Sequence, residues 1–447
     1  MKVMLISLPG INQTDGDLFP LGIGYLAGSL KTRHEVESHH FAEMVKAGKE
    51  IRKRLRSYRP DLLGFTCSTF NRVYVQEMIH HVRTIDKGIK IVVGGVHPSF
   101  CTDQMLREYD ADVVVIGEGE RTLPELCSSI EQGAPMEGVH GISYKEGDRI
   151  LLTPPREPVK NLDELPLPDY SYARPFIERS RTGFLITSRG CPVRCTFCST
   201  SSYWGQKVRM HSPKRVVDEM EMLVSQFDID KIFFHDDTFN LGIPRVLEIC
   251  RGIKGRGIEI DWACSCRVVP VSEEMIATMV ESGCRHICWG VESGSEQILR
   301  SINKKISLAQ IRNAFELSTK FSHILSTGAF SMVGNPGESE KTIQETVTFL
   351  NDTPITDAPS TSILYVLPGT LLYETLKKKG YINDEDWLKH KTAPTYTIEN
   401  SFYTLRKWNN MVTRSGKRIP FDPKKHFWKT EDESSGCLLY TSPSPRD

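Results

Sequence analysis

The chain has 447 residues, more than one ordinary hydrophobic core accommodates, so two domains and a tail are expected. Lys and Arg together number 56, and so do Asp and Glu; this balance leaves no broad cationic field and argues against nucleic acid as the main partner. With 39% hydrophobic residues, no apolar run long enough for a membrane span and a brief β-like start (MKVMLISLPG) rather than a signal peptide, the composition is that of a globular cytoplasmic protein.

In chain order, residues 1–135 alternate strand-like and helix-like segments. KVMLIS, EVESHHF, DLLGFT (61–66), IKIVVGG (89–95) and ADVVVIG (111–117) read as strands. Helical patterns fall at 21–33, 43–57, 72–85, 99–108 and 121–132. The near-continuous Val/Ile runs indicate strands buried on both faces, hence a Rossmann-like, doubly wound parallel sheet. Its ligand is expected beyond the carboxyl ends, where Gly94, Gly95 and GEGE (117–120) fall. Residues 136–180 read as a small hairpin and a proline-rich linker. Over 181–380 six strands recur, at 183–188, 230–235, 258–264, 285–291, 325–334 and 360–366. Helices between them start at Ser212-Pro213, Ser272, Ser307 and Ser339. Six βα units are too few for a closed eight-stranded barrel and predict an open, partial (βα)6 barrel. Residues 381–436 form a C-terminal segment expected to be cut short. The tail 437–447, CLLYTSPSPRD, reads back into a transposon sequencing adapter and is excluded from fold reasoning.

Most of the 12 cysteines are scattered, and Cys250, Cys284 and Cys288 read as small core hydrophobes. Residues 187–200, TSRGCPVRCTFCST, differ: Cys191, Cys195 and Cys198 form C-x3-C-x2-C directly after the first barrel strand. A structural zinc site wants four closed ligands, and no further Cys or His lies in CPVRCTFCSTSSYWGQ. A disulfide suits a cytoplasmic chain poorly. An iron–sulfur cluster on three thiolates, with one iron open to another ligand, fits best.

This spacing, with Phe197 before the third cysteine and a partial βα barrel around it, resembles the radical S-adenosylmethionine (SAM) superfamily. The resemblance implies a [4Fe–4S] cluster on Cys191, Cys195 and Cys198, with SAM on the open iron. It implies reductive cleavage of SAM to a 5′-deoxyadenosyl radical, with a flavodoxin or ferredoxin as reductant. It carries SAM contacts onto Phe197, onto Asp236 and Asp237 in FFHDDTFN, and onto Glu292 in WGVESGS as a ribose ligand. Gly334 and Gly337 in GAFSMVGNPGESE would let backbone approach the adenine. Arg267 in CSCRVV would face a substrate or cosubstrate carboxylate. Beside these stand plainer roles: a cap or turn carboxylate for one Asp, a surface position for Arg267. No catalytic residue beyond the cluster is assigned.

The first domain resembles the cobalamin-binding domain of one branch of these enzymes, through FPLGIGYLAGSL, DLLGFT, VVGGVHPSF and VVVIGEGE. This implies Leu21 and Gly22 near the corrin, Gly94 and Gly95 close to the nucleotide tail, and Thr66 and Ser68 as hydrogen-bond partners. Gly117 and Glu118 would line the rim. The D-x-H-x-x-G motif is absent, SLPGINQTDGD standing in its place, so that loop offers cobalt no histidine. His97 is expected at the tail or as a cap of the following helix. A GxGxxG fingerprint for NAD is also absent. The expected function is methyl transfer to an unactivated carbon of a small molecule. Alternatives are an oxidative cyclase of the same branch, a two-cluster tRNA methylthiotransferase and a non-catalytic cobalamin or redox sensor. The methylthiotransferase would draw on Cys67, Cys101 and Cys127, yet Cys127 falls on an apolar helix stripe with Leu123 and Ile130. The sensor would carry a degraded cluster motif, and this one is intact.

Overall fold

The computed structural model describes residues 1–11, 20–389, 391–421 and 426–427. They form two compact units, one built on 1–176 with 374–393, the other on 177–373 with the described residues from 394 onward.

The first unit is built on a seven-stranded sheet. Its strands are β1 (Lys2–Ser7), β2 (Glu35–His40), β3 (Leu62–Thr66), β4 (Lys90–Gly94), β5 (Val113–Val115), β6 (Ile142–Glu146) and β7 (Arg149–Leu152). The order is β2-β1-β3-β4-β5-β6-β7, with the first five parallel. The apolar runs are explained by burial on both faces. Met4, Ile6, Leu63 and Val93 enter one apolar layer; Val3, Leu5, Val92 and Val113 enter the other. The order reverses between β1 and β3, where a sheet of this kind opens its ligand crevice. Asn71 ties that point together, its Nδ2 donating to the carbonyls of Leu8 (3.2 Å) and Thr66 (3.3 Å). The hairpin does not stand apart. It pairs antiparallel onto β5 and covers an edge that would otherwise be open. The helix expected over 99–108 is two short ones, Val96–Phe100 and Thr102–Arg107, with buried Cys101 at the break.

Residues 374–393 complete this unit, although the sequence groups 374–380 with the barrel and leaves 381–393 unplaced. Fully buried Arg72 holds them, donating to the carbonyls of Thr69, Trp387 and Thr392. Its guanidinium also lies 5.2 Å from the Trp387 ring.

The second unit is built on a six-stranded sheet: β8 (Thr182–Leu185), β9 (Lys231–Phe234), β10 (Asp261–Cys266), β11 (Cys284–Glu292), β12 (Ser326–Val333) and β13 (Ser360–Ile363). They pair in chain order, all parallel, as an open partial barrel requires. The four serine caps form: Ser212, Ser272, Ser307 and Ser339 accept the N–H groups of Arg215, Met275, Gln310 and Thr342. Each contributes about 1 kcal/mol and sets where its strand's return helix begins. Helix Phe402–Thr413 packs on β12 and β13 through buried Leu405, Trp408 and Val412.

Candidate functional site

In the second unit the sequence candidates converge on one end of the sheet. Cys191 follows β8, Asp236 and Asp237 follow β9, Arg267 follows β10, Glu292 ends β11 and Gly334 follows β12. A parallel barrel gathers its chemistry at these carboxyl ends.

The cysteine loop is fixed by backbone bonds from three directions. Cys191 N donates to Gly205 O (3.3 Å), Thr196 N to Ile302 O (3.0 Å) and Leu372 N to Thr196 O (2.9 Å). Asn303 Nδ2 donates to Arg194 O at 2.7 Å. Gly190, at φ +98°, has no room for a side chain: a Cβ would sit 2.8 Å from Lys207 O. Cys195 is buried, while Cys191, Phe197 and Cys198 are half-exposed. Three thiols held on a rigid loop, one inside and two at the surface, fit the three-thiolate side of a cluster.

Lys304 was not visible as a functional residue in the sequence. It is buried and its Nζ donates to Glu292 Oε1 at 2.6 Å. Burial works against its charge, yet Glu292 and Cys195 together hold the ammonium above its ordinary range. Burial in turn pushes the Cys195 thiol up, with Lys304 pulling the other way. Glu292 sits at φ +66°, where the β11–β12 register shifts between Gly290 and Glu292. A left-handed, bulky residue at a bulge is strain of a kind that gathers at functional sites. Arg267 is not a surface residue. It is buried, and its Nη2 donates to Lys304 O at 2.9 Å. The Asn240 side chain holds the Arg267 backbone from both sides, at 3.0 and 2.7 Å.

The two aspartates separate. Asp236 is 1% exposed and accepts from Thr187 N (3.0 Å), Thr187 Oγ1 (2.8 Å) and the Ser188 hydroxyl. Those donors lead from β8 into the cysteine loop, so its carboxylate positions that loop. Asp237 accepts from Thr200 Oγ1 at 2.9 Å, in the helix Thr200–Tyr203 beyond Cys198.

Gly334 (φ +93°) and Gly337 (φ +83°) need the left-handed region. Their turn folds onto its own acid: Glu338 accepts from Gly334 N (2.5 Å), Asn335 N (3.1 Å) and Asn335 Nδ2 (3.1 Å). Gly337 N donates to Glu399 Oε2 at 2.7 Å. Burial pushes the Glu338 carboxyl up to about 7 from an ordinary 4.5. A raised carboxyl favours the protonated fold. Its stabilisation is full below pH ~4.5 and is lost as pH rises through ~7. The stability of the native chain relative to Glu338→Gln should therefore fall by about 3 kcal/mol between pH 4.5 and 8. Urea unfolding of both proteins across that range reads it, and a difference flat with pH refutes it.

The cobalamin candidates lie in the first unit, mostly at strand ends. Leu21 and Gly22 open the helix Leu21–Leu30, and nothing lies within 4 Å of a Cβ built at Gly22. Thr66 ends β3; the Ser68 hydroxyl accepts the N–H groups of Phe70 (3.3 Å) and Asn71 (3.4 Å). Gly117, at φ +73°, also has open space at its Cβ position. Open backbone at Gly22 and Gly117, with hydroxyls at Thr66 and Ser68, fits a large ligand laid over the carboxyl ends. Gly94 would tolerate a Cβ, 3.6 Å from Val115. At Gly95 the fold itself requires a glycine: at φ +113° a Cβ would lie 2.6 Å from Cys67 O. Glu118 Oε2 accepts Val159 N at 3.0 Å. His97 is 0% exposed, its Nδ1 3.2 Å from Thr69 Oγ1 and its ring 5.6 Å from that of Trp387. Burial pushes it down to about 3, so it is neutral. It packs inside the unit, within the helix Val96–Phe100 and not as its cap. Cys67 and Cys127 belong to the two apolar layers on opposite faces of the sheet. They cannot share a second cluster.

Two known domain families match the chain: the B12 binding domain over residues 9–127 and the Radical SAM superfamily over 185–350. An uncharacterized methyltransferase of Pyrococcus horikoshii is 32% identical over 424 residues, covering 91% of each chain. The anaerobic magnesium-protoporphyrin IX monomethyl ester cyclase of Rubrivivax gelatinosus is 28% identical over 351 residues, 75% of this chain and 62% of that one. Among solved structures, the radical SAM methyltransferase TsrM of Kitasatospora setae, with cobalamin and a [4Fe–4S] cluster bound, has a TM-score of 0.69 at 20% identity. That alignment covers 84% of this chain and 75% of TsrM, and it shows a shared fold.

Proposed function

The chain belongs to the radical SAM superfamily, in the branch that carries a B12-binding domain, and we propose from that premise that it methylates an unactivated carbon of a small molecule. It is an enzyme whose cofactors are a [4Fe–4S] cluster, SAM and cobalamin. The observation that carries the reading is the rigid C-x3-C-x2-C loop after β8, with Glu292, Lys304 and Arg267 gathered beside it. When bound, the cluster supplies the electron that cleaves SAM, and cobalamin carries the methyl group. The chain's own residues would hold and orient these groups. Cys191, Cys195 and Cys198 would bind the cluster, with Lys304 favouring the Cys195 thiolate. Glu292, fixed through one oxygen by Lys304, would offer the other to the SAM ribose. Asp237, Phe197 and the Gly334–Gly337 turn would border the rest of SAM. Leu21, Gly22, Thr66, Ser68, Gly94, Gly117 and Glu118 would border cobalamin.

We assign the protein to the cytoplasm, where its cysteines would stay reduced and a flavodoxin or ferredoxin would supply electrons. Among the described residues no helix is long and apolar enough to cross a membrane.

Anaerobic reconstitution with iron, sulfide and hydroxocobalamin, then removal of unbound cofactor, should leave about four irons and about one cobalt per chain. Incubation with SAM and a strong reductant should then give both 5′-deoxyadenosine and S-adenosylhomocysteine. Deoxyadenosine alone would replace methyl transfer by a cyclase-type reaction, the second reading, favoured by the similarity to the Rubrivivax protein. About eight irons without cobalt would overturn the cobalamin assignment.

A further inference from the structure

A second cluster of ligand-type side chains lies in the barrel unit, at the opposite end of β11 from Glu292. His286 is the third residue of that strand, about 20 Å from its carboxyl end at the usual rise per residue. Its Nδ1 faces Asp357 Oδ2 at 3.3 Å. Asp357 Oδ1 lies 2.9 Å from His426 Nε2. One ligand atom from each residue falls within 4.8 Å of the other two. The group is largely shielded from water, with side-chain exposures of 2% for His286, 11% for Asp357 and 20% for His426. Two imidazoles thus converge on one carboxylate away from solvent. The Ser326 hydroxyl lies 2.8 Å from His286 Nδ1 and 3.1 Å from Arg285 O, so its proton can turn to Arg285 O when an ion takes the His286 nitrogen.

We propose that His286, Asp357 and His426 bind a zinc-class divalent ion that fastens the 426–427 segment to the amino end of the barrel. Two nitrogens and one oxygen are a donor set for a first-row transition metal and a poor one for calcium or magnesium. Tetrahedral bonds of about 2.0–2.1 Å put neighbouring donors roughly 3.3 Å apart; each histidine lies 3.3 or 2.9 Å from one oxygen of Asp357, and the three-atom set, spread over up to 4.8 Å, would draw in on the ion. Water completes the fourth position. The segment is already seated for this: Phe427 is buried, and the His426 ring lies 6.1 Å from that of Phe421.

The test uses the reconstituted full chain, its cysteine loop filled with iron and sulfide so that zinc cannot lodge there. After incubation with zinc and desalting, elemental analysis should find about one zinc per chain. His426→Gln should retain no stoichiometric zinc at an unchanged iron count, whereas the control His80→Gln, at an exposed position, should keep it. Zinc at a hundredfold excess over its Kd should raise the thermal midpoint of the native chain by roughly 5 °C, and leave His426→Gln unmoved. Native protein without zinc, or His426→Gln that keeps it, overturns the site. A zinc count with no midpoint shift overturns the fastening role.

Discussion

Exchanging any one of Cys191, Cys195 or Cys198 for Ala should drop the iron count from about four per chain to below about one, and cut SAM cleavage by more than about 10³-fold. The size of the effect follows from how the loop is built. Bonds from Gly205, Ile302, Asn303 and Leu372 fix its backbone, so a lost thiol cannot be replaced by loop rearrangement. No other described cysteine of the unit can substitute: Cys250, Cys264, Cys266, Cys284 and Cys288 are all buried in core. Cys67→Ala, Cys101→Ala and Cys127→Ala serve as the contrast and should keep full iron. Their thiols are buried in the first unit, and burial pushes those of Cys101 and Cys127 up to about 12, far from the thiolate an iron would need. Iron lost from any of these three would revive the two-cluster reading.

What the sequence made legible was local. IVVG between turn residues reads as a buried strand because its side chains fill both faces. Ser before a helical stretch reads as a cap because the hydroxyl meets an N–H three residues on. C-x3-C-x2-C reads as a cluster loop because its three ligands lie within eight positions. What stayed hidden depends on contacts across long stretches of chain. Asp236 and Asp237 are adjacent and chemically equal; only the end of β8, some 49 residues upstream, decides which is consumed by Thr187 and Ser188. Gly95 reads as a place where a ligand nears the backbone, and only the fold shows that the carbonyl of Cys67 bars a side chain there as well. Arg72 looks like an ordinary helix-start arginine until residues 387 and 392, over 300 positions on, supply its acceptors. In each case the residue type was informative, and the partner was not in view.

Lys304 is the sharpest instance, and its removal should have the second largest effect. Lys304→Met leaves the Glu292 carboxylate shielded and unpaired, at a cost of about 3–5 kcal/mol. Glu292→Gln strands the ammonium instead and should cost a similar amount. The double variant carries neither charge, so it should recover most of the loss, with a coupling of at least about 2 kcal/mol in a double-mutant cycle. Additive losses would mean that the pair does not act as a unit. Function should separate from stability. All three variants keep the cysteine thiols, so iron should stay near four per chain. SAM cleavage should nevertheless fall by at least about 10²-fold in each, the double variant included, because a fixed charge beside the reacting groups is lost. The cluster potential of Lys304→Met should move to a more negative value, since a cation felt at Cys195 is gone. A double variant that regains both stability and SAM cleavage would reduce Lys304 and Glu292 to a structural ion pair. One that regains stability alone would show that the chain keeps a buried charge pair at this strained strand end for the chemistry it supports.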